Sequence, residues 1–178
     1  LREGDFTLIP VGSDVTSIAA IERKSIDALN GTDPAVTIMQ KRGMVDVMLD
    51  ARTVDGTNKT YGGSYPTAVL YANESFIQKN PVTVQRAVNA LARSLRFIAD
   101  NSPDKIASAL PKEYAVGDPE TFKEVISNSK QIFPASGHFD SSALERAKDI
   151  VAAFNPKVGD AKIDLSRTYT NRFVDAAH

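Results

Sequence analysis

Cysteine is absent from the 178 residues. That excludes thiol nucleophiles, disulfides, iron–sulfur ligation and cysteine zinc sites together. Histidine occurs twice, as His138 in a polar turn and as the terminal His178. A nucleophile–His–acid triad would have to use one of them, and the turn Gly12, Ser13, Asp14 lacks the flanking pattern of a nucleophile elbow. No apolar run approaches the ~18 residues of a membrane-spanning helix. The net charge of −1 and the lack of long runs of like charge speak against a nucleic-acid partner, which selects a basic face. Asp46, Asp50 and Asp55 are near in sequence but straddle an apolar run and a loop without EF-hand spacing, so no metal centre is expected. Gly62 and Gly63 have neither a third glycine nor a following helix, so no phosphate loop or dinucleotide fingerprint is present. The chain reads as a binder rather than an enzyme, with no cofactor.

What is present is an ordinary globular composition, 42% hydrophobic and 24% charged, in a length that fits one domain or two small lobes. Four apolar segments, at residues 6–11, 25–29, 44–49 and 67–71, read as strands. Between them lie a short helix at 15–23 and a helix at 35–42 stopped by Gly43. The pattern predicts an α/β fold, in which ligands sit beyond the carboxyl ends of the strands. Residues 51–64 lack hydrophobic periodicity and read as a loop, with Gly62 and Gly63 able to act as a hinge.

From Asn73 onward the chain reads as helical. Asn80 and Pro81 open a helix whose apolar stripe is Val84, Val88, Leu91, Leu95 and Ile98. Arg86, Arg93 and Arg96 fall off that stripe, as a solvated face would. Ser102 and Pro103 start a short helix, Asp118 and Pro119 another, and Ser142 with Glu145 reads as a capping box opening a third. The tail at 155–165 reads as irregular, and Thr170 caps a last helix carrying Phe173 and Val174.

The polar turn at 30–34 is the strongest candidate for ligand contact. It exposes the Asn30 amide, the Thr32 hydroxyl and the Asp33 carboxylate at the end of an expected strand. The same residues are also suited to cap the helix that follows Pro34. Tyr61, Ser64 and Tyr65 flank the glycine pair and offer flat apolar walls and hydroxyls, and the same tyrosines are equally suited to pack on the sheet edge as loop aromatics.

Val11, Gly12 and Ser13, then residues 19–28, then Asp33 and Pro34, taken together resemble the second-lobe segment of periplasmic solute-binding proteins. The likeness is to the nitrate/sulfonate/taurine and thiamine-pyrimidine-precursor group serving ABC importers. Residues 63–72 resemble the return crossover of that group, and residues 74–88 its following helix pair. Lys24 and Ser25 stand where the group usually has glycine. The resemblance implies an α/β, two-lobed periplasmic-binding-protein-like fold of the second topological class with a helix-rich C-terminal half. Residues 1–63 would be the second-lobe segment and 64–178 the crossover strand and helical return. The chain opens on Leu1 rather than Met, and the resemblance implies an N-terminal part of the first lobe that is missing here and would be a partner of this chain.

On that resemblance the ligand contacts are Asn30, Thr32, Asp33, Ser64, Tyr65 and Ser13, and the hinge is Gly62 and Gly63. The implied partners are a small-molecule solute and ABC permease subunits. The implied location is the periplasm, or a lipid-anchored extracytoplasmic position, after removal of a signal peptide. Two other readings share the scaffold: the ligand-sensing domain of a regulator or membrane kinase, and a pyrimidine-precursor-synthase-like enzyme.

Overall fold

The computed structural model describes residues 4–111, 114 and 118–178. Ten α-helices run in chain order among them: α1 (Asp14–Glu22), α2 (Ala35–Lys41), α3 (Val54–Tyr61), α4 (Glu74–Lys79), α5 (Pro81–Asp100), α6 (Pro103–Ala109), α7 (Pro119–Ser129), α8 (Ser141–Phe154), α9 (Pro156–Gly159) and α10 (Arg172–Asp175). The chain divides into two compact units. The first is Leu1–Met48 with Ala107–Ser127; the second is Leu49–Ile106 with Asn128–His178.

No β-strand forms among the described residues, which corrects the four strands expected at 6–11, 25–29, 44–49 and 67–71. The sequence signal for a strand is its side-chain character, but a strand exists only where a neighbour supplies the backbone ladder. These stretches run without helix or ladder; among the described residues their only backbone pairing is at the ends, where Ser25 N–H donates to the Ala20 carbonyl and Met44 N–H to the Met39 carbonyl, each at 3.0 Å. The fold expected as α/β is helical in what is described.

The first unit is organised on α2, whose Ala35, Thr37 and Met39 are all buried. Their i, i+2, i+4 spacing wraps more than one face of this short helix, so α2 packs against α1 and is tied to α7 rather than lying on a surface. Lys41, in its last turn, donates from Nζ to Thr121 Oγ1 at 2.9 Å and pairs with Glu124 at 3.2 Å, tying α2 to α7. Thr121 and Ile126 are the buried residues of α7. Asp118 starts that helix as the sequence predicts. Its Oδ1 accepts from the backbone N–H of Glu120 and Thr121, both at 3.0 Å, and its Oδ2 from the Thr121 hydroxyl at 2.7 Å. Those bonds, the Thr121 hydroxyl first, hold the Asp118 carboxyl at about 2.

The second unit is built on α5. Pro81 occupies its first turn, where a missing N–H costs nothing. The expected stripe is only partly inward: Val84, Val88, Leu95 and Ile98 are half-buried, Leu91 is exposed, and Ala92 is the residue fully covered. The small Ala92 lets its neighbours approach closely, and volume rather than hydrophobicity decides which position is innermost. Arg86, Arg93 and Arg96 are exposed. α10 packs on α5 through buried Phe173, and Gln85 Nε2 donates to the Phe173 carbonyl at 2.7 Å.

Three local readings are corrected. Residues 54–61, expected as loop, form α3, because Thr53 caps its start by accepting from Gly56 N–H at 3.0 Å and Gly62 stops it in the left-handed region at φ 76°. Caps at both ends decide a short helix that lacks an apolar stripe. α8 is capped by Asp140, not by Ser142: Asp140 accepts from Ser142 N–H at 3.0 Å and from its hydroxyl at 2.9 Å. The tail expected as irregular holds α9, capped by Asn155, and a 3₁₀ turn at Leu165–Arg167. Thr170 Oγ1 accepts from Arg172 N–H at 3.3 Å beside the cap position Asn171, and α10 carries Phe173 and Val174 as expected.

Candidate functional site

In the first unit two polar turns carry candidates. Gly12 sits at φ 75° and Asp14 at φ 25°, so the chain reverses sharply into α1. Ser13 takes the N-cap position in an extended conformation, yet its side chain makes no capping bond. Its carbonyl, by contrast, accepts from Thr16 N–H at 3.0 Å and Thr16 Oγ1 at 2.7 Å. The Ser13 side chain is exposed.

The turn at 30–34 leads into α2 through a cis Asp33–Pro34 bond. Asp33 Oδ1 accepts from the Thr37 backbone N–H at 3.0 Å and from the Thr37 hydroxyl at 2.8 Å. Asp33 therefore fixes the first turn of α2 and satisfies a hydroxyl that is only 2% exposed. The helix-anchoring role open to it in the sequence is realised. Asn30 and Thr32 are exposed; the Thr32 carbonyl accepts from Val36 N–H at 3.3 Å.

In the second unit the chain leaves α3 at Gly62 and turns at Gly63, φ 150°. Tyr61 and Tyr65 stack across this turn with ring centroids 4.4 Å apart and planes 22° from parallel. The pair forms one flat aromatic surface, half-buried on both rings. Arg146 of α8 lies beneath the turn and donates from Nη1 to the Ser64 carbonyl at 2.7 Å. A Cβ at Gly63 would stand 2.5 Å from Arg146 Nη2, whereas one at Gly62 would meet open space. Glycine at 63 is thus what admits the guanidinium. Arg146 also lines a shallow open groove along α8 with Glu145, Asp149 and Phe154. Nothing in the local sequence marks Arg146, because its partner is 82 positions away.

The candidates therefore fall into two sets. Ser13, Asn30, Thr32 and Asp33 belong to the first unit; Ser64 and Tyr65, with the glycine pair Gly62 and Gly63, belong to the second. The glycine pair lies inside the second unit, while the chain passes between units after Met48, Ile106 and Ser127.

Several other ionisable groups are engaged structurally. Arg52 forms a two-pronged pair with Asp50, from Nε at 2.9 Å and Nη2 at 2.7 Å. That bond holds the Asp50 carboxyl below its usual range. Asp55 pairs with Lys59 at 2.7 Å. His138 sits exposed between two acceptors, Nε2 2.8 Å from Asp175 Oδ1 and Nδ1 3.1 Å from the Ser136 carbonyl. Among the described residues no three metal-ligating side chains gather. Within the same residues no helix is long and apolar enough to cross a membrane.

With this geometry in view, comparison with known proteins gives two findings. A family model described as NMT1/THI5 like matches residues 1–106. A solved structure of a protein from Bordetella bronchiseptica RB50 superposes with a TM-score of 0.91 at 32% identity, over 99% of this chain and 55% of that one. The chain thus spans about half the length of that relative. No curated protein matches the sequence.

Proposed function

The chain belongs to the NMT1/THI5 like family, whose role is the binding of small-molecule solutes, and from that membership we propose that it serves as the solute-capturing component of an ABC import system. It takes up a small polar molecule outside the cytoplasm and hands it to permease subunits without altering it. The family's periplasmic-binding-protein-like fold implies a two-lobed arrangement that closes on the ligand by a hinge.

The observation that carries this reading is the family match itself, whose residues 1–106 include every candidate contact. The local geometry suits it. Tyr61 and Tyr65 present a flat surface with two phenol groups, and Ser64 is held beside them by Arg146. Asn30, Thr32 and Ser13 present exposed hydrogen-bonding side chains. An aromatic wall with a polar group beside it, as at Tyr61, Tyr65 and Ser64 in the second unit, is the kind of surface small-molecule sites are made of. Since Asp33 is occupied with Thr37, the contacts of choice in the 30–34 turn are Asn30 and Thr32.

Native mass spectrometry of gently purified protein tests the reading. The expected result is an adduct that leaves as an intact small molecule on denaturation and whose re-addition restores the complex without turnover. Release of a chemically altered molecule after incubation would replace the binding reading with an enzymatic one.

A further inference from the structure

Asn30 is followed by Gly31, and none of the other eight asparagines precedes a glycine. An asparagine side-chain amide and the backbone nitrogen of the next residue can close a five-membered ring. A side chain on that next residue stands in the way, and glycine has none. Ring closure then needs three local conditions: an amide side chain that is not held, a backbone N–H without an acceptor, and solvent to supply the base.

All three are met in this turn. Asn30 and Gly31 are both exposed. Among the described residues the Gly31 N–H donates to no acceptor and the Asn30 side chain makes no hydrogen bond. No helix encloses the pair, since α2 starts at Ala35. Position 31 is also held as glycine. A Cβ there would stand 3.0 Å from Val36 Cγ2 and 3.1 Å from Leu29 Cδ2, so the fold crowds out the side chain that would slow the reaction.

Asp55 and Gly56 make the chain's one aspartate–glycine pair, which closes the same ring in a flexible chain, and there the fold blocks it. The pair lies inside α3, Gly56 N–H donates to Thr53 Oγ1 at 3.0 Å, and the Asp55 carboxylate pairs with Lys59 at 2.7 Å. A helix also locks the backbone angle that ring closure has to change.

We propose that Asn30 is a site of spontaneous modification, where the turn converts its own amide into a carboxylate without an enzyme. Hydroxide takes the Gly31 N–H proton and the nitrogen attacks Asn30 Cγ. A C–N bond forms, and the Cγ–Nδ2 bond breaks to release ammonia, which takes a proton from solvent. Water then opens the succinimide. Addition at Cγ gives aspartate in an ordinary backbone; addition at the main-chain carbonyl carbon gives isoaspartate, with the chain running through the side-chain carbon. Water enters, ammonia leaves, and nothing is oxidised or reduced. Each conversion makes the net charge of −1 one unit more negative. It replaces a group that donates and accepts by one that only accepts, and the isoaspartate form lengthens the backbone beside the crowded Gly31. The site stands whether or not the chain binds a solute.

Peptide mapping by mass spectrometry tests this on the native protein held in mildly alkaline buffer, with a parallel sample in urea. Residue 30 is expected to convert at least about tenfold faster than any other asparagine, giving two products of equal mass that chromatography separates. Its rate in the native protein should lie within about threefold of its rate in urea, whereas Asp55 should isomerise in urea and be held back in the native protein. A greater slowing of residue 30 by the fold overturns the proposal, because the turn is then protected. So does conversion of another asparagine ahead of it. Asn30→Gln supplies an independent arm, since its side chain is one methylene too long for the five-membered ring. In that variant the early acidic form seen by isoelectric focusing should vanish; its undiminished appearance would place the chemistry elsewhere.

Discussion

Arg146 on α8 reaches the carbonyl of Ser64 with a 2.7 Å bond, and it does so through space that only a glycine at position 63 leaves open. The turn carrying Ser64 and Tyr65 is therefore held from below by a residue distant in sequence. Arg146→Ala should remove a charge-assisted bond worth about 1 kcal/mol at a partly exposed position. Exchange of the amides at 62–65 should accelerate while those of α5 stay slow. Urea denaturation gives the first quantity and hydrogen exchange the second. Unchanged exchange at 62–65 would remove Arg146 from its supporting role.

The two glycines of that turn should respond differently. Gly62→Ala meets open space and carries only the left-handed backbone cost, about 1 kcal/mol. Gly63→Ala adds a clash with the Arg146 guanidinium, 2.5 Å from the new Cβ, and displaces the Ser64 contact. The double variant Gly63→Ala, Arg146→Ala should be less destabilised than the sum of its parts. A thermodynamic cycle from denaturation midpoints reads this coupling directly, and strict additivity would contradict it.

Asp33→Ala should lower stability by about 1 kcal/mol, because the first turn of α2 loses its anchor. Asp33→Asn keeps an oxygen for Thr37 and should retain most of that stability. Solute affinity, measured by titration calorimetry with the molecule recovered from the native protein, should survive Asp33→Asn and fall for Asn30→Ala and Thr32→Ala. A large affinity loss in Asp33→Asn at unchanged stability would restore the carboxylate as a direct ligand.

Acid should weaken the first unit through Asp118. Its carboxyl lies at about 2 in the folded chain against an ordinary 3.8, so the folded state binds the proton less readily than the unfolded one. The contribution is fully present above about pH 4 and disappears as the pH falls towards 2. Asp50, lowered by Arg52, adds a loss of the same sign in the second unit. In Asp118→Asn the decline in urea midpoint between neutral pH and pH 2 should be shallower than in the parent chain. An identical decline would mean that the α7 cap does not contribute.

Much of this helical scaffold is legible in the sequence, because its signals are local. Pro81, Asp118 with Pro119, and Gly43 mark helix boundaries through bonds spanning a few residues, and those boundaries are found within a residue or so in the structure. The two-residue shift from Ser142 to Asp140 arises because both side chains can cap, and Asp140 takes both the N–H and the hydroxyl of Ser142. α3 has no apolar stripe, only a cap at each end, so its stretch of sequence carries the signal of a loop. Family membership too was readable, from the order of segments across residues 11–34 and 63–88.

The sequence by itself determined where several helices start and stop, which four stretches are apolar, and that no cysteine chemistry takes place here, since each of these depends on neighbours along the chain. Only the tertiary structure decided that Asp33 is engaged with Thr37, that Arg146 underpins Ser64, and that the four apolar stretches stand without a ladder among the described residues. The physical reason is common to all three: a hydrogen bond needs its two partners in place, and where they lie far apart in the chain, or could each bond elsewhere, only the fold chooses.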